Sequence, residues 1–127
     1  MARLTADEAP PGPIVQGFRD GGFAVEGEVY PALLLTPQRA EQWSPPARAS
    51  ELAMEHLAPL LALDPAPEFL LLGTGPSLVL PPRALVRALE ARGIGLEAMD
   101  SRAAARTWGV LRGEERWIAA ALMPLGA

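Results

Sequence analysis

The sequence predicts a single α/β domain built on a central mixed β-sheet, with helices packed on the sheet and a β-hairpin near the N-terminus. Half of the 127 residues are apolar, enough for the core of one domain. Helical and strand patterns alternate in the second half of the chain, as is typical of a largely parallel sheet. The apolar run 69–72 leads into a Gly-Thr-Gly turn, which indicates a buried strand at the centre of that sheet.

The first half of the chain predicts short strands around glycine-rich turns. Residues 1–12 contain two consecutive prolines and few apolar side chains, so we expect a flexible N-terminal tail before a domain over 13–127. Gly27 lies between two strand-like segments, which favours a hairpin or a bulged strand. Pro31 interrupts the second arm, which predicts that this arm lies at an edge or a bulge. The predicted strands are residues 14–18, 23–26, 28–30 and 32–35.

The second half predicts three helices. The first starts at Ser50, after a loop over 37–49, and ends or kinks near Leu57 because Pro59 follows. Gly93 suits the end of the second helix, and Asp100 or Ser101 can cap the third. The remaining predicted elements are the helix 83–92, the strand 94–99, the helix from residue 101 to Gly113 and the closing strand 116–122.

The residue types that are absent exclude several kinds of site. The chain has no cysteine, lysine or asparagine, which excludes disulfides, thiolate nucleophiles and Schiff-base lysines. A single histidine, His56, excludes a two-histidine metal site, and we expect its ring to be satisfied inside the fold. The sequence therefore predicts no cofactor, no metal and no catalytic constellation. The excess of Arg, Ala, Pro and Gly over Lys and Asn indicates a GC-rich bacterial genome.

Charge and hydropathy restrict the partners. The net charge is −4 and the arginines are dispersed, which argues against nucleic-acid binding. No apolar run approaches the roughly 20 residues of a membrane span. The first residues lack the apolar core of a secretory signal, so a cytoplasmic protein is predicted.

One candidate site lies where two predicted strands end. Ligands of open α/β sheets bind at the carboxyl ends of strands, and glycine-rich turns there can expose N–H groups to an anion. The alternative is a tight strand exit followed by a helix cap. Arg116 either borders this crevice or forms an ion pair that holds the last strand in register. The candidate crevice residues are Gly73, Thr74, Gly75, Met99, Asp100, Ser101 and Arg116.

A second candidate is a partner surface at Trp43 and Tyr30. Trp43 lies in a proline-rich loop, where an aromatic side chain either plugs the core or stands exposed as a binding anchor. Tyr30 lies at a predicted sheet edge, which can pair with another chain. A hairpin edge can also pair across a two-fold axis, so a homo-oligomer is compatible with the sequence.

The order and spacing of these motifs resemble the domain-of-unknown-function family 498. The resemblance covers residues 14–123. This family includes small bacterial and archaeal proteins, an adipogenesis-associated human protein and a mitochondrial complex I assembly factor. The segments that carry the resemblance are Gly73–Gly75, Pro81-Pro82, Gly93–Gly95, Glu97–Trp108, Val110-Leu111, Glu114, Arg116 and Ala119–Leu122, with Trp43 and Gly21–Phe23 in agreement.

The resemblance implies a compact three-layer fold and no established catalytic residues. It also implies a non-enzymatic protein-interaction or assembly role, because the mitochondrial relative binds protein partners. The alternative is a small-molecule-binding domain or an unrecognised enzyme that uses the crevice. The chain departs from the family at two positions: Gly109 replaces the usual asparagine, and Trp108 replaces the usual Tyr or Phe.

Overall fold

The computed structural model describes residues 12–126, and the predicted tail falls outside the described residues except for Gly12. Eight strands and three α-helices are present in this part of the chain. The strands are β1 (Gly17–Arg19), β2 (Gly22–Val25), β3 (Glu28–Tyr30), β4 (Leu33–Leu35), β5 (Ala40–Gln42), β6 (Phe69–Gly73), β7 (Gly95–Met99) and β8 (Ala119–Leu122). The helices are α1 (Ala58–Leu61), α2 (Arg83–Glu90) and α3 (Ser101–Gly113).

The main sheet has five strands in the order β5-β4-β8-β6-β7. Strand β6 is parallel to β7 and β8, whereas β4 is antiparallel to β5 and β8. The sheet is therefore mixed, as predicted. The central strand is β8 and not β6, because the last strand of the chain inserts between β4 and β6. Strand β6 still has a partner on each side, which explains its continuous apolar run.

The predicted hairpin is present, but it belongs to a separate sheet. Strands β1, β2 and β3 form an antiparallel three-stranded sheet. Val25 pairs with Glu28, so Glu26 and Gly27 form a two-residue turn. Both turn residues have positive φ, 51° and 86°, as a type I′ hairpin requires. The mixed character of the main sheet thus comes from β4 and β5. Strand β5 lies in a segment for which the sequence predicted a loop.

Two hydrophobic clusters cover the two faces of the main sheet. Successive strand residues point to opposite faces, so Leu70 and Leu72 enter one cluster while Leu71 enters the other. The first cluster includes residues of α1 and α2. The second includes Trp108 of α3 and Phe23 of the small sheet. The result is a three-layer α/β domain, in agreement with the prediction.

The helix predicted from Ser50 differs most from the structure. Two short 3-10 turns cover Ala49–Glu51 and Met54–Leu57, and α1 follows directly. Pro59 does not end a helix, because it lies in the first turn of α1, where a missing N–H disrupts no helical hydrogen bond. Helices α2 and α3 occur close to their predicted positions, with a positive φ of 76° at Gly93.

Candidate functional site

The carboxyl ends of β6 and β7 meet at one edge of the main sheet. The two strands are parallel, and Gly73 is the register partner of Met99 on β7 and of Leu122 on β8. The segments 73–75 and 99–101 are therefore neighbours, as the strand pattern predicted. Their chemistry depends on whether the space between them is open or filled.

Ser101 fills the space beside Gly73. A Cβ added to Gly73 would lie 2.7 Å from the Ser101 Oγ, 2.8 Å from its Cα and 3.0 Å from Leu122 Cδ2. Only glycine allows the start of α3 to approach β6 this closely. The Ser101 side chain is 0% exposed.

The Ser101 hydroxyl joins three segments of the chain. It donates to the Met123 carbonyl oxygen at 2.7 Å and accepts from the Gly75 N–H at 2.9 Å. The Ser101 N–H donates in turn to the Gly75 carbonyl oxygen at 2.8 Å. These bonds satisfy the hydroxyl in both directions, so it is committed to the fold. Hydrogen bonding of this kind is typical of a structural junction.

Thr74 organises the loop that leaves this edge. Its hydroxyl donates to the Ser77 carbonyl oxygen at 2.7 Å and accepts from the Val79 N–H at 3.0 Å. Its N–H donates to the Met99 carbonyl oxygen at 2.9 Å. The side chain is buried, and these bonds hold residues 77–79 in one conformation.

Asp100 and Met99 are the other two predicted crevice residues at this edge. Asp100 precedes α3, and its Oδ2 accepts from the Ala103 N–H at 3.0 Å, which is an N-cap interaction. Met99 is half-buried and packs against the second hydrophobic cluster. Three open cavities of about 170, 240 and 290 Å³ lie elsewhere on the described part of the chain, and none is lined by these crevice residues. The use of this edge as a ligand site stays a prediction.

Arg116 lies at the opposite edge and is not a neighbour of the crevice. It precedes β8, whereas the crevice is at the carboxyl ends of the strands. Its Nη2 lies 2.9 Å from Glu68 Oε1 in an exposed ion pair. Glu68 also accepts from the Trp117 N–H at 3.2 Å. These hydrogen bonds from Arg116 and Trp117 lower the pKa of Glu68, and the bond to Glu68 raises the pKa of Arg116. The pair joins the starts of β6 and β8.

Trp43, one of the two residues predicted for a partner surface, is a core residue. It is only 8% exposed, and its Nε1 donates to the His56 carbonyl oxygen at 2.9 Å. His56 is itself satisfied, since its Nδ1 accepts from the Ala53 N–H at 2.9 Å. Tyr30 is half-buried and packs against the second cluster. In this structure Trp43 is not available to a partner, because the loop that carries it folds onto the first cluster.

Within residues 12–126, a run of three exposed apolar side chains lies in a segment for which the sequence predicted no site. Leu78, Val79 and Leu80 are 56, 41 and 77% exposed. We call these three residues the apolar loop. The signal in the sequence was an apolar run between Pro76 and the Pro81-Pro82 pair, too short for a buried strand.

In residues 12–126 no group of three or more His, Asp or Glu side chains is placed to hold a metal ion. No helix in the same range is long and apolar enough to cross a membrane.

Residues 15–123 match the family described as "Protein of unknown function (DUF498/DUF598)". The chain belongs to this family. It is 31% identical over 118 residues to NADH dehydrogenase [ubiquinone] 1 alpha subcomplex assembly factor 3 of Danio rerio, which covers 92% of this chain and 67% of the relative. The chain thus spans about two thirds of that protein.

Solved structures of bacterial proteins share the fold. A protein from Bordetella parapertussis has a TM-score of 0.80 at 36% identity, over 91% of this chain and 98% of that one. A protein from Bartonella henselae, described as an outer membrane protein, has a TM-score of 0.80 at 25% identity, over 94% and 100% of the two chains. The recognised family and the α/β fold class are therefore confirmed.

Proposed function

We propose that this protein is a non-enzymatic protein-interaction domain that acts in the assembly of a larger complex, with the apolar loop at the centre of its partner surface. The exposure of the apolar loop is the observation that carries the proposal. Single exposed apolar residues are ordinary, but three consecutive ones concentrate apolar surface in one loop, and concentrated apolar surface is typical of interaction sites.

The loop's fixed conformation supports binding. Thr74 binds the backbone on both sides of Leu78, at Ser77 and Val79. Gly75, which precedes the loop, is bonded to the buried Ser101. A partner would therefore meet a surface already ordered, and binding to an ordered loop costs less conformational entropy. On this view the junction between Gly75 and Ser101 serves to present the apolar loop.

The relatives suggest the kind of complex. Assembly factor 3 of NADH dehydrogenase is similar to 92% of this chain, which matches 67% of the length of that relative. By analogy, the partners of this protein would be subunits of an NADH dehydrogenase or other proteins that act in its assembly. A cytoplasmic location and self-association stay predictions beside this proposal.

The test is affinity capture of the tagged protein from a lysate of its host, followed by mass spectrometry to detect subunits of NADH dehydrogenase. A variant with Leu78→Ser, Val79→Ser and Leu80→Ser should lose the captured subunits while it keeps its fold. Substitutions of exposed side chains rarely change stability by more than about 0.5 kcal/mol each. Val110→Ser is the control, because Val110 is 62% exposed but lies on α3. Equal capture by the two variants would contradict the proposal.

The small-molecule alternative has weaker support. The hydroxyls of Thr74 and Ser101 bond within the chain, so a ligand at this edge would have to displace internal hydrogen bonds. A metabolite that raised the unfolding temperature of the wild type but not of Asp100→Ala, which removes only an N-cap hydrogen bond from the fold, would support this alternative.

A further inference from the structure

The apolar loop continues directly into a cationic helix face. After Leu80, only Pro81 and Pro82 precede Arg83, the first residue of α2. Arg87 follows four residues later, so it lies beside Arg83 on the same face of the helix. Both arginines are exposed. The apolar loop and the first arginine are therefore separated along the chain by only two prolines.

Positive charge is concentrated at the start of α2, while the acidic Glu90 lies on the same exposed face at the end of the helix. No acidic residue occurs between Glu68 and Glu90 in the sequence, although the chain as a whole carries a net charge of −4. The ion pairs of Arg39 with Glu41 and of Arg116 with Glu68 do not involve α2. The start of α2, next to the apolar loop, thus presents two positive charges to solvent, and the negative charge of Glu90 lies at the far end of the helix.

The packing of α2 holds this face outward. Leu85 and Leu89 are buried in the first hydrophobic cluster, which covers one face of the main sheet. The opposite face of the helix, with Arg83 and Arg87, cannot turn inward without exposing both leucines. Pro81 and Pro82 restrict the backbone between the helix and the apolar loop.

From these observations, and resting on the proposed function, we infer that the partner presents an amphipathic segment with apolar and acidic side chains. Its apolar residues would cover Leu78, Val79 and Leu80, and its carboxylates would face Arg83 and Arg87. A stable interface needs roughly 800 Å² from each partner, with an apolar centre and a polar rim in which arginine is common. Complementary charge would accelerate the encounter and select against basic partners.

An anionic lipid surface offers the same combination of apolar and negative groups, but the protein has few features of a lipid anchor. The apolar loop contains no aromatic residue, and aromatic side chains are typical of the membrane interface. Two arginines attract an anionic membrane only weakly, because each contributes about 1 kcal/mol near the surface. The net negative charge of the whole molecule opposes such binding further. A protein segment is therefore the favoured occupant.

The experiment uses two synthetic peptides of about 16 residues, long enough to form a helix. Both carry the same leucine stripe, flanked by glutamate in one peptide and by lysine in the other. Each is titrated into isotope-labelled full-length protein and followed by amide chemical shifts. The acidic peptide should shift residues 78–90 and bind about tenfold more tightly than the basic peptide. The paired variant Arg83→Glu and Arg87→Glu should reverse this preference.

Three results would overturn the inference. They are equal binding of the two peptides, no binding of either, and an unchanged preference in the charge-reversed variant. Flotation with phosphatidylglycerol vesicles but not with phosphatidylcholine vesicles, together with no peptide binding, would assign the surface to lipid. If the triple serine variant loses the captured subunits while charge reversal changes nothing, the proposed function stands and only the acidic character of the partner fails.

Discussion

At the scale of single residues, Ser101 is the side chain on which the end of the sheet depends most. Replacement by alanine removes the partner of the buried Gly75 N–H and of the Met123 carbonyl oxygen. An unsatisfied buried polar group costs about 1–3 kcal/mol, so Ser101→Ala should lower the free energy of unfolding by at least that amount. Urea denaturation measures it. Ser77→Ala is the control, because the exposed side chain of Ser77 makes no hydrogen bond among residues 12–126. Equal urea midpoints for the two variants would contradict this role of Ser101.

Trp43 allows a second prediction at this scale. Since the side chain is buried, Trp43→Ala should lower the free energy of unfolding by about 3–5 kcal/mol. Trp43→Phe should cost less, because it keeps most of the volume and loses only the hydrogen bond to the His56 carbonyl oxygen. Denaturation curves of the two variants test this order. If the alanine variant were as stable as the wild type but lost its partners, Trp43 would be an exposed binding residue and not a core residue.

At the scale of elements, the Arg116–Glu68 pair joins the starts of β6 and β8 and makes that junction sensitive to pH. The folded state lowers the pKa of Glu68, first through the hydrogen bond from Arg116 and then through the one from Trp117. A carboxyl group with a lowered pKa stabilises the folded state above the ordinary glutamate pKa of about 4.3. This stabilisation is lost as the pH falls through the lower folded value.

Glu68→Gln should therefore be less stable than the wild type at neutral pH. The difference in unfolding midpoint should shrink as the pH falls from the ordinary glutamate pKa of about 4.3 through the lower pKa of Glu68 in the folded state. Glu55→Gln is the control, because the exposed Glu55 side chain forms no hydrogen bond or ion pair within the described part of the chain. A constant difference between wild type and Glu68→Gln across the acid range would exclude the pair as its source.

Local sequence signals predicted some elements well and others poorly. Strand β6, helix α2 and helix α3 were predicted because continuous apolar runs, a helical period and strong end signals coincide there. Strand β5 was missed because Ala40–Gln42 has no apolar run and forms only through pairing with β4. The helix expected from Ser50 is replaced by short turns that lead into α1. The predicted end was wrong because proline suits the first turn of a helix as well as the position after its end, and Pro59 lies in the first turn of α1.

At the scale of the whole molecule, the two hydrophobic clusters share one sheet. Leu70, Leu71 and Leu72 are consecutive in β6 yet contribute to both clusters. Neither cluster can lose its packing without disturbing the strands that support the other. We therefore expect a single cooperative unfolding transition. Far-UV circular dichroism and tryptophan fluorescence should give the same urea midpoint, and two separated midpoints would show that the layers unfold independently.

The candidate site illustrates what a sequence can and cannot predict. The meeting of residues 73–75 with 99–101 followed from the parallel strands, whose carboxyl ends lie at the same edge. Whether that meeting leaves a cavity depends on the distance of α3 from β6, which is set by the contact between Gly73 and Ser101. Arg116 was assigned to the wrong edge, because the insertion of β8 into the sheet determines which of its ends lies near the crevice.

The sequence by itself determined the fold class, the family, the strands of the hairpin and the types of site that the missing residues exclude. These depend on composition, local period and turn chemistry, which act between residues close in the chain. Only the tertiary structure decided that Trp43 is buried, that the Ser101 hydroxyl is committed to the fold and that the apolar loop is exposed. Burial depends on which distant segments cover a side chain, and no local pattern contains that information.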